Sequence, residues 1–233
     1  IRLHHDEYMD TVVSIQARLG STRLPGKVLL HLGGRRILDW VVNRASSADL
    51  EETDVVVALG DEPENEAIEE LCRRKDYQYI VGPENNLLER HLQVAYSEDY
   101  DTLIRLTADC PFVPPSEITR TYTEHDASDA AYTRNGWPSD ADRAMPIGTA
   151  VDVFDVELLE RLAADGATHP NRRPLEDPDK YDVAFAPNEE WGRYGDVHLA
   201  VDTPADYWHL VDAIGEVGTA PDAVATQLAA TDD

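Results

Sequence analysis

Short, nearly continuous apolar runs alternate with amphipathic stretches along the first half of the chain. Val12–Ile15, Asp54–Leu59 (DVVVAL), Tyr77–Val81 and Asp101–Leu106 read as strands. Ile37–Ala45, with Ile37, Leu38, Val41 and Val42 at helical spacing, reads as a helix. So do Asn86–Tyr96, whose Leu87, Leu88, His91, Leu92 and Ala95 share one face, and Pro115–Glu124. Pro63–Arg74 opens with proline and carries acids in its first turn, where they suit the helix dipole. Strands that are hydrophobic on both faces, separated by helices, predict a parallel sheet covered on both sides.

After residue 130 the rhythm loosens. Ala130–Thr133 and Ala150–Phe154 read as strands around the turn-rich Asn135–Pro146. Asp155–Ala164 reads as a helix, Thr168–Lys180 as a polar, proline-punctuated loop, and Val197–Val201 (VHLAV) as a returning strand. Thr203–Val217 opens a helix with Thr-Pro, and Thr219–Asp233 reads as a helix that frays. No internal repeat or long linker divides the 233 residues. The expected organisation is a nine-residue N-terminal extension (1–9) and one α/β domain over 10–233, the middle third elaborating the same sheet.

Charge changes the picture twice. Twenty basic residues against 46 acidic ones leave a formal charge of −26, which repels nucleic acid and anionic membrane and excludes both as expected partners. Only three of the basic residues are lysine (Lys27, Lys75, Lys180), a composition that suits a surface kept solvated in high salt and predicts a salt-adapted, halophilic source. Cys72 and Cys110 lie far apart without a CxxC, against a disulfide scaffold or zinc cluster. Cys72 is expected to pack in its helix. No apolar run approaches 18 residues and Ile1–Asp10 is polar, so the expected location is the cytoplasm, without a transmembrane helix or signal peptide.

The second change is local. Thr11–Leu38 contains no acid over 28 positions, yet holds Arg18, Arg23, Lys27, Arg35 and Arg36. This island directly follows the first strand. Loops at the carboxyl ends of parallel strands bind ligands, glycines let amides approach an anion, and cations neutralise it. The island therefore predicts a polyphosphate site; the alternative is a solvated basic loop. It is no Walker A motif, because five residues separate Gly20 from Gly26 and Val28 follows Lys27, and it contains no GxGxxG.

Two acids leave strand ends on the same expected edge. Asp109 precedes Cys110-Pro111 and Asp202 precedes Thr203-Pro204. Magnesium is held by one or two carboxylates plus substrate phosphates, so this pair suits a metal; a turn aspartate and a helix N-cap are the structural alternatives. Arg105, inside a strand pattern, suits a structural ion pair. A glycosyltransferase would carry a D-x-D motif, and Asp140-x-Asp142 and Asp177-x-Asp179 fall in polar loops.

IQARLGSTRLPGKVLLHLGGRRILDWVV resembles the opening signature of the cytidylyltransferases that make CMP-sugars. Among these it is similar to the SpsF-type spore-coat polysaccharide proteins and to the CMP-Kdo and acylneuraminate cytidylyltransferases. The resemblance resumes at LLERHLQVAYSEDYDTLIRLTADCPFVPP and PIGTAVDVF and ends at HLAVDTPADY. It implies a single three-layer nucleotide-diphospho-sugar transferase domain with a mixed, mainly parallel sheet. The implied activity is magnesium-dependent transfer from CTP to a sugar or sugar-acid acceptor for surface polysaccharide or glycan synthesis, with a homodimer as an allowed assembly. Arg18 and Lys27 would stabilise transition-state charge. Ala17, Gly20, Ser21, Arg23, Asp61 and Arg90 would join them in holding the nucleotide. Asp109 and Asp202 would hold magnesium, and Asp152 and His169 would lie near the acceptor. The sequence departs from the family at Gly60-Asp61, where relatives often place Thr or Ser, at Asp152, where glutamate is usual, and at Thr168-His169-Pro170-Asn171. A nucleotidyltransferase of another base or acceptor, and a nucleotide-binding protein without turnover, are the rival readings.

Overall fold

The computed structural model describes residues 11–136 and 145–231. The expected extension 1–9 and the Asp140-x-Asp142 motif lie outside the described residues. The chain starts with β1 (Thr11–Ala17), a small ribbon of β2 (His31–Leu32) and β3 (Arg35–Arg36), and α1 (Ile37–Ala45). β4 (Asp54–Gly60), α2 (Glu66–Lys75), β5 (Gln78–Gly82), α3 (Leu87–Ala95), β6 (Thr102–Thr107) and α4 (Pro115–Asp126) follow in strict alternation. The second half brings β7 (Tyr132–Arg134), β8 (Asp152–Asp155), α5 (Val156–Ala164), α6 (Arg172–Glu176), β9 (Val183–Phe185), α7 (Glu189–Gly192), α8 (Pro204–Val217) and α9 (Pro221–Thr231).

Among the described residues the main sheet has seven strands in the order β5-β4-β1-β6-β8-β7-β9. β5, β4, β1 and β6 pair in parallel, β8 is antiparallel to both β6 and β7, and β9 is parallel to β7. The mixed, mainly parallel sheet is therefore as expected, with β8 alone reversed. Alternate strand residues feed opposite layers, as the two-residue strand period demands. Val13, Ile15, Val57, Leu59, Ile104 and Leu106 pack against Leu38, Val41, Ile68, Leu71 and Ile118 of α1, α2 and α4. Val12, Val56, Ala58, Leu103 and Phe154 pack against Leu88, Leu92, Leu158, Leu159 and Leu162 of α3 and α5. Cys72 is fully buried in the first of these layers.

The structure departs from the sequence reading in the second half. Val197–Val201 does not join the sheet as a strand. It stays extended beside Ile147, with a single bridge at His198, and its buried Val197, Leu199 and Val201 form a third core with Leu210 of α8 and Val224 of α9. Its apolar pattern reports burial rather than sheet pairing, and periodicity does not separate the two. The loop expected over Thr168–Lys180 contains α6, and the tail is an ordered α9. Gly33 and Gly34, with φ of +56° and +86°, make the two-residue turn of the β2–β3 ribbon, which only residues tolerant of positive φ form readily. No helix among the described residues is long and apolar enough to cross a membrane.

Candidate active site

A cleft of about 440 Å³ opens over the carboxyl ends of the parallel strands, where open α/β sheets place their ligands. Its first wall is the loop after β1. Leu19 anchors that loop twice: its N–H donates to Asn65 Oδ1 (2.7 Å), and its carbonyl accepts from the N–H groups of Ser21 (2.8 Å) and Gly26 (3.0 Å). Gly26 has φ +72° and heads the short 3-10 turn Lys27–Leu29, so the chain reverses there and sends the Lys27 side chain back under the loop.

Lys27 is the centre of charge. Its side chain is only 9% exposed, and its Nζ lies on Asp109 Oδ2 and 3.0 Å from Asp202 Oδ1. Arg23 Nη2 approaches the same Asp202 Oδ1 at 2.9 Å. Burial pulls the Lys27 ammonium down, but the two carboxylates outweigh it, and its pKa ends above the ordinary lysine value. Burial pushes Asp202 up, while the hydrogen bond and charge of Lys27, joined by Arg23, hold it below the usual carboxylate range. Backbone geometry brings the acids together. The Ala108 N–H extends the ladder to Gln16 O (3.0 Å), and the Val201 N–H donates to Asp109 O (2.9 Å). The N-cap of α8 is Thr203, in a capping box with Asp206. The Asp202 carboxylate is thereby left for Lys27 and Arg23 on one oxygen, with His198 Nε2 3.6 Å from the other.

Ala17, Arg18, Ser21, Arg23, Lys27, Arg90, Asp109, His169 and Asp202 all line the cleft. Gly20, Asp61 and Asp152 are not in that lining. Gly20 stands beside Glu64. Asp61 Oδ1 accepts the backbone N–H of Glu84 (2.9 Å). Asp152 is buried beneath the site, receiving Arg105 Nη1 at 2.5 Å, Tyr132 Oη at 2.6 Å and Arg134 Nη1 at 3.3 Å. Burial alone would raise Asp152, but Arg134 and Arg105 hold it low. This network realises the ion pair expected of Arg105, whose Nε also holds Gln16 Oε1 at 2.8 Å. Arg90 touches the cleft but spends its guanidinium on the carbonyls of Pro83 and Glu84.

His169 and Arg172 also line the cleft. Burial, reinforced by Arg105 and Arg172, lowers His169 to about 4, so its imidazole is neutral at pH 7. Its Nδ1 is buried without a hydrogen-bond partner among the described residues. Glu84 and Arg172 are lining residues that sequence reasoning missed. Both sit in loops or short elements without a periodic pattern, and only their distance from the basic island in space, not in sequence, marks them.

A family model described as cytidylyltransferase matches residues 12–165. The spore coat polysaccharide biosynthesis protein SpsF of Bacillus subtilis (strain 168) is 30% identical over 224 residues, spanning 94% of this chain and 92% of that protein. A 3-deoxy-manno-octulosonate cytidylyltransferase of Thioalkalivibrio sulfidiphilus is 31% identical over 175 residues, 72% of this chain and 64% of that one. A solved cytidylyltransferase from Leptospira borgpetersenii serovar Hardjo-bovis aligns with TM-score 0.85 at 25% identity, covering 97% of this chain and 96% of that chain.

Proposed function

The chain belongs to the cytidylyltransferase family of nucleotidyltransferases, and from that premise we propose that it moves the cytidylyl group of CTP onto a sugar or sugar-acid acceptor for glycan synthesis, with magnesium. The observation that carries this reading is the meeting of Asp109, Asp202 and Lys27 at the edge of a cation-lined cleft. The triphosphate lies along Arg18, Ser21, Arg23 and Lys27. An acceptor oxygen attacks the α-phosphorus, its proton is lost, the bond to the bridging oxygen breaks, and pyrophosphate leaves with the electron pair.

The donor set fits a divalent ion. Two carboxylates already share one ammonium, and their backbones are tied through the Val201–Asp109 hydrogen bond. Among the described residues no group of three or more His, Cys, Asp and Glu could hold a metal alone. Magnesium accepts such an incomplete set when phosphates and waters fill its octahedron. Bound there, it supplies charge neutralisation and alignment of the phosphates. The chain's own part is positioning. Lys27 and Arg23 meet charge that builds on phosphoryl oxygens, in a cleft where preformed donors act more strongly than in water. Neutral His169 and cationic Arg172 face the acceptor end.

The direct test is pyrophosphate release from the four nucleoside triphosphates against a panel of sugar acids and sugar phosphates. CTP with one acceptor class, stopped by a chelator and restored by magnesium or manganese, is the expected result. Release from every nucleotide but CTP, or undiminished release without a divalent ion, overturns the reading.

A further inference from the structure

Three acids line the cleft, and two of them meet at Lys27. The third, Glu84, stands apart from that pair and meets Arg18 instead, at 3.2 Å. A carboxylate in the wall of a site for a polyanion is tolerated where a cation neutralises it, and better still where it faces another portion of the ligand. Its place in the fold identifies that portion. Glu84 follows β5, whereas Asp109 follows β6, with β4 and β1 between them in the sheet. Its side chain leans back over Gly60 at the end of β4, where any Cβ would collide with Glu84 Oε2. Strands are spaced by about 4.8 Å, so the end of β4 lies two strands, roughly 10 Å, from the end of β6. On the proposed reading the phosphates would lie toward the β1–β6 edge and the nucleoside toward the β4–β5 edge.

The carboxylate is also held unusually firmly. Its side chain is 10% exposed; Oε1 lies 3.2 Å from Arg18 Nη1, and Oε2 accepts from Asn65 Nδ2 at 3.1 Å. The backbone of Glu84 is fixed at both ends, its N–H on Asp61 Oδ1 (2.9 Å) and its carbonyl on Arg90 Nη2 (2.8 Å). Asp61 and Arg90 thus fix the position of Glu84, and Arg90 Nη2 also stands 4.0 Å from its Oε2. Asn65 joins it to the phosphate loop, since the same side chain takes the Leu19 N–H.

We propose that Glu84 is the residue that selects the pyrimidine, its carboxylate accepting a hydrogen bond from the exocyclic amine of cytosine. An ionised carboxylate only accepts. Cytosine presents an N–H donor at that ring position; uracil presents a carbonyl oxygen, whose lone pairs would face the carboxylate. Sites built around one buried hydrogen bond reject the analogue that cannot make it far more strongly than apolar pockets reject a change of size. The proposal rests on the cleft being a nucleotide site.

The experiment compares kcat/KM for CTP, UTP and dCTP in wild type and Glu84→Gln, with melting temperature as a check on folding. A glutamine offers an N–H to the uracil carbonyl, so the CTP-over-UTP preference should fall at least tenfold in the variant. Binding to the wild-type protein gives a second, fold-independent reading: the triphosphate of 2-pyrimidinone riboside, which lacks the amine, should bind at least tenfold more weakly than CTP. Equal losses for CTP and UTP in the variant would show that Glu84 only orients Arg18, and overturn the proposal. A lost preference for CTP over dCTP, with CTP over UTP intact, would place Glu84 on the ribose and overturn it equally. Wild-type protein that binds CTP and UTP alike overturns this inference alone, whereas protein that binds no triphosphate overturns the nucleotide reading beneath it.

Discussion

Asp109, Asp202, Lys27 and Arg23 carry two negative and two positive charges within one ion-pair cluster. These four charges cancel before any ligand arrives, so a lone divalent ion has little to draw it in. On the proposed reading the nucleotide would change this by giving Lys27 and Arg23 an alternative partner. Lys27→Met should therefore tighten manganese binding to nucleotide-free protein, followed by electron paramagnetic resonance, at least tenfold. The same change should cost turnover on the order of 2–4 kcal/mol, as removal of one positioned charge-stabilising group does. Manganese affinity that is unchanged by the substitution would remove Lys27 from the carboxylate pair's electrostatics. Asp109→Asn added to Lys27→Met should cancel the gain, because the remaining carboxylate is a poor site alone.

The extended segment Val197–Val201 is the element on which the site depends most and that local pattern describes least well. It delivers Asp202, and it is pinned from one side by Ile147, whose N–H and carbonyl bond Val197 O (3.0 Å) and Leu199 N (2.7 Å). The next residue, Gly148, has φ +93°, and a Cβ there would stand 2.5 Å from Ala200 N and 2.7 Å from the Leu199 carbonyl carbon. Both the backbone angle and the space exclude a side chain. Gly148→Ala should cost about 1–3 kcal/mol in strain alone and shift Asp202, so melting temperature and turnover fall together. Gly26, at φ +72° but facing open space, offers the contrast: Gly26→Ala should lower stability by only about 1 kcal/mol. A Gly148→Ala protein as stable and active as wild type would show that the bridge does not set Asp202. Thr203→Ala removes the α8 capping box and should cost about 1 kcal/mol without altering metal dependence.

For the whole molecule, surface charge and buried histidines act in opposite directions. A charge of −26 makes the compact state repel itself. The Debye length shrinks from about 10 Å at 0.1 M to about 3 Å at 1 M salt, so melting temperature should rise steeply with potassium chloride. The partly enclosed site is screened less, so KM for the nucleotide should rise only modestly over the same series. A flat or falling melting curve would mean that the acidity is no salt adaptation. Acid acts through His91 and His169. His91 is wholly buried against Ser14 Oγ (2.8 Å), and burial lowers it well below the ordinary value; His169 sits at about 4. Both folded-state values are depressed, so below about pH 6.5 the unfolded chain binds protons that the folded chain refuses. Stability should fall as pH drops from 6.5 towards 4. Denaturant unfolding in molar salt, where the changing surface charge is screened, should show this slope, and His169→Asn should flatten it. Identical slopes in the two proteins would deny His169 that role.

Much of this protein was legible along the chain. The four parallel strands and their helices announce themselves because strands buried on both faces must be apolar throughout, and covering helices must be apolar on one side. α1 falls on Ile37–Ala45 as the spacing predicts. The basic island was legible because 28 acid-free positions stand out in so acidic a chain. Asp109 and Asp202 were legible as acids at strand ends, but not as partners. They are 93 residues apart, and the hydrogen bond from Val201 to Asp109 that joins them belongs to no repeating pattern. Tertiary structure also decided that Val197–Val201 is a buried extended strap rather than a strand, because an apolar run specifies burial and leaves the hydrogen-bond partner open. It decided that Asp152 serves Arg105 and Arg134 below the site. And it decided that Glu84, an ordinary loop acid in the sequence, lies pressed over Gly60 in the wall of the cleft. Hydrophobic period is a local property and survives in the sequence. The convergence of charges depends on which loops the sheet order places side by side, and that is fixed only when the chain has folded.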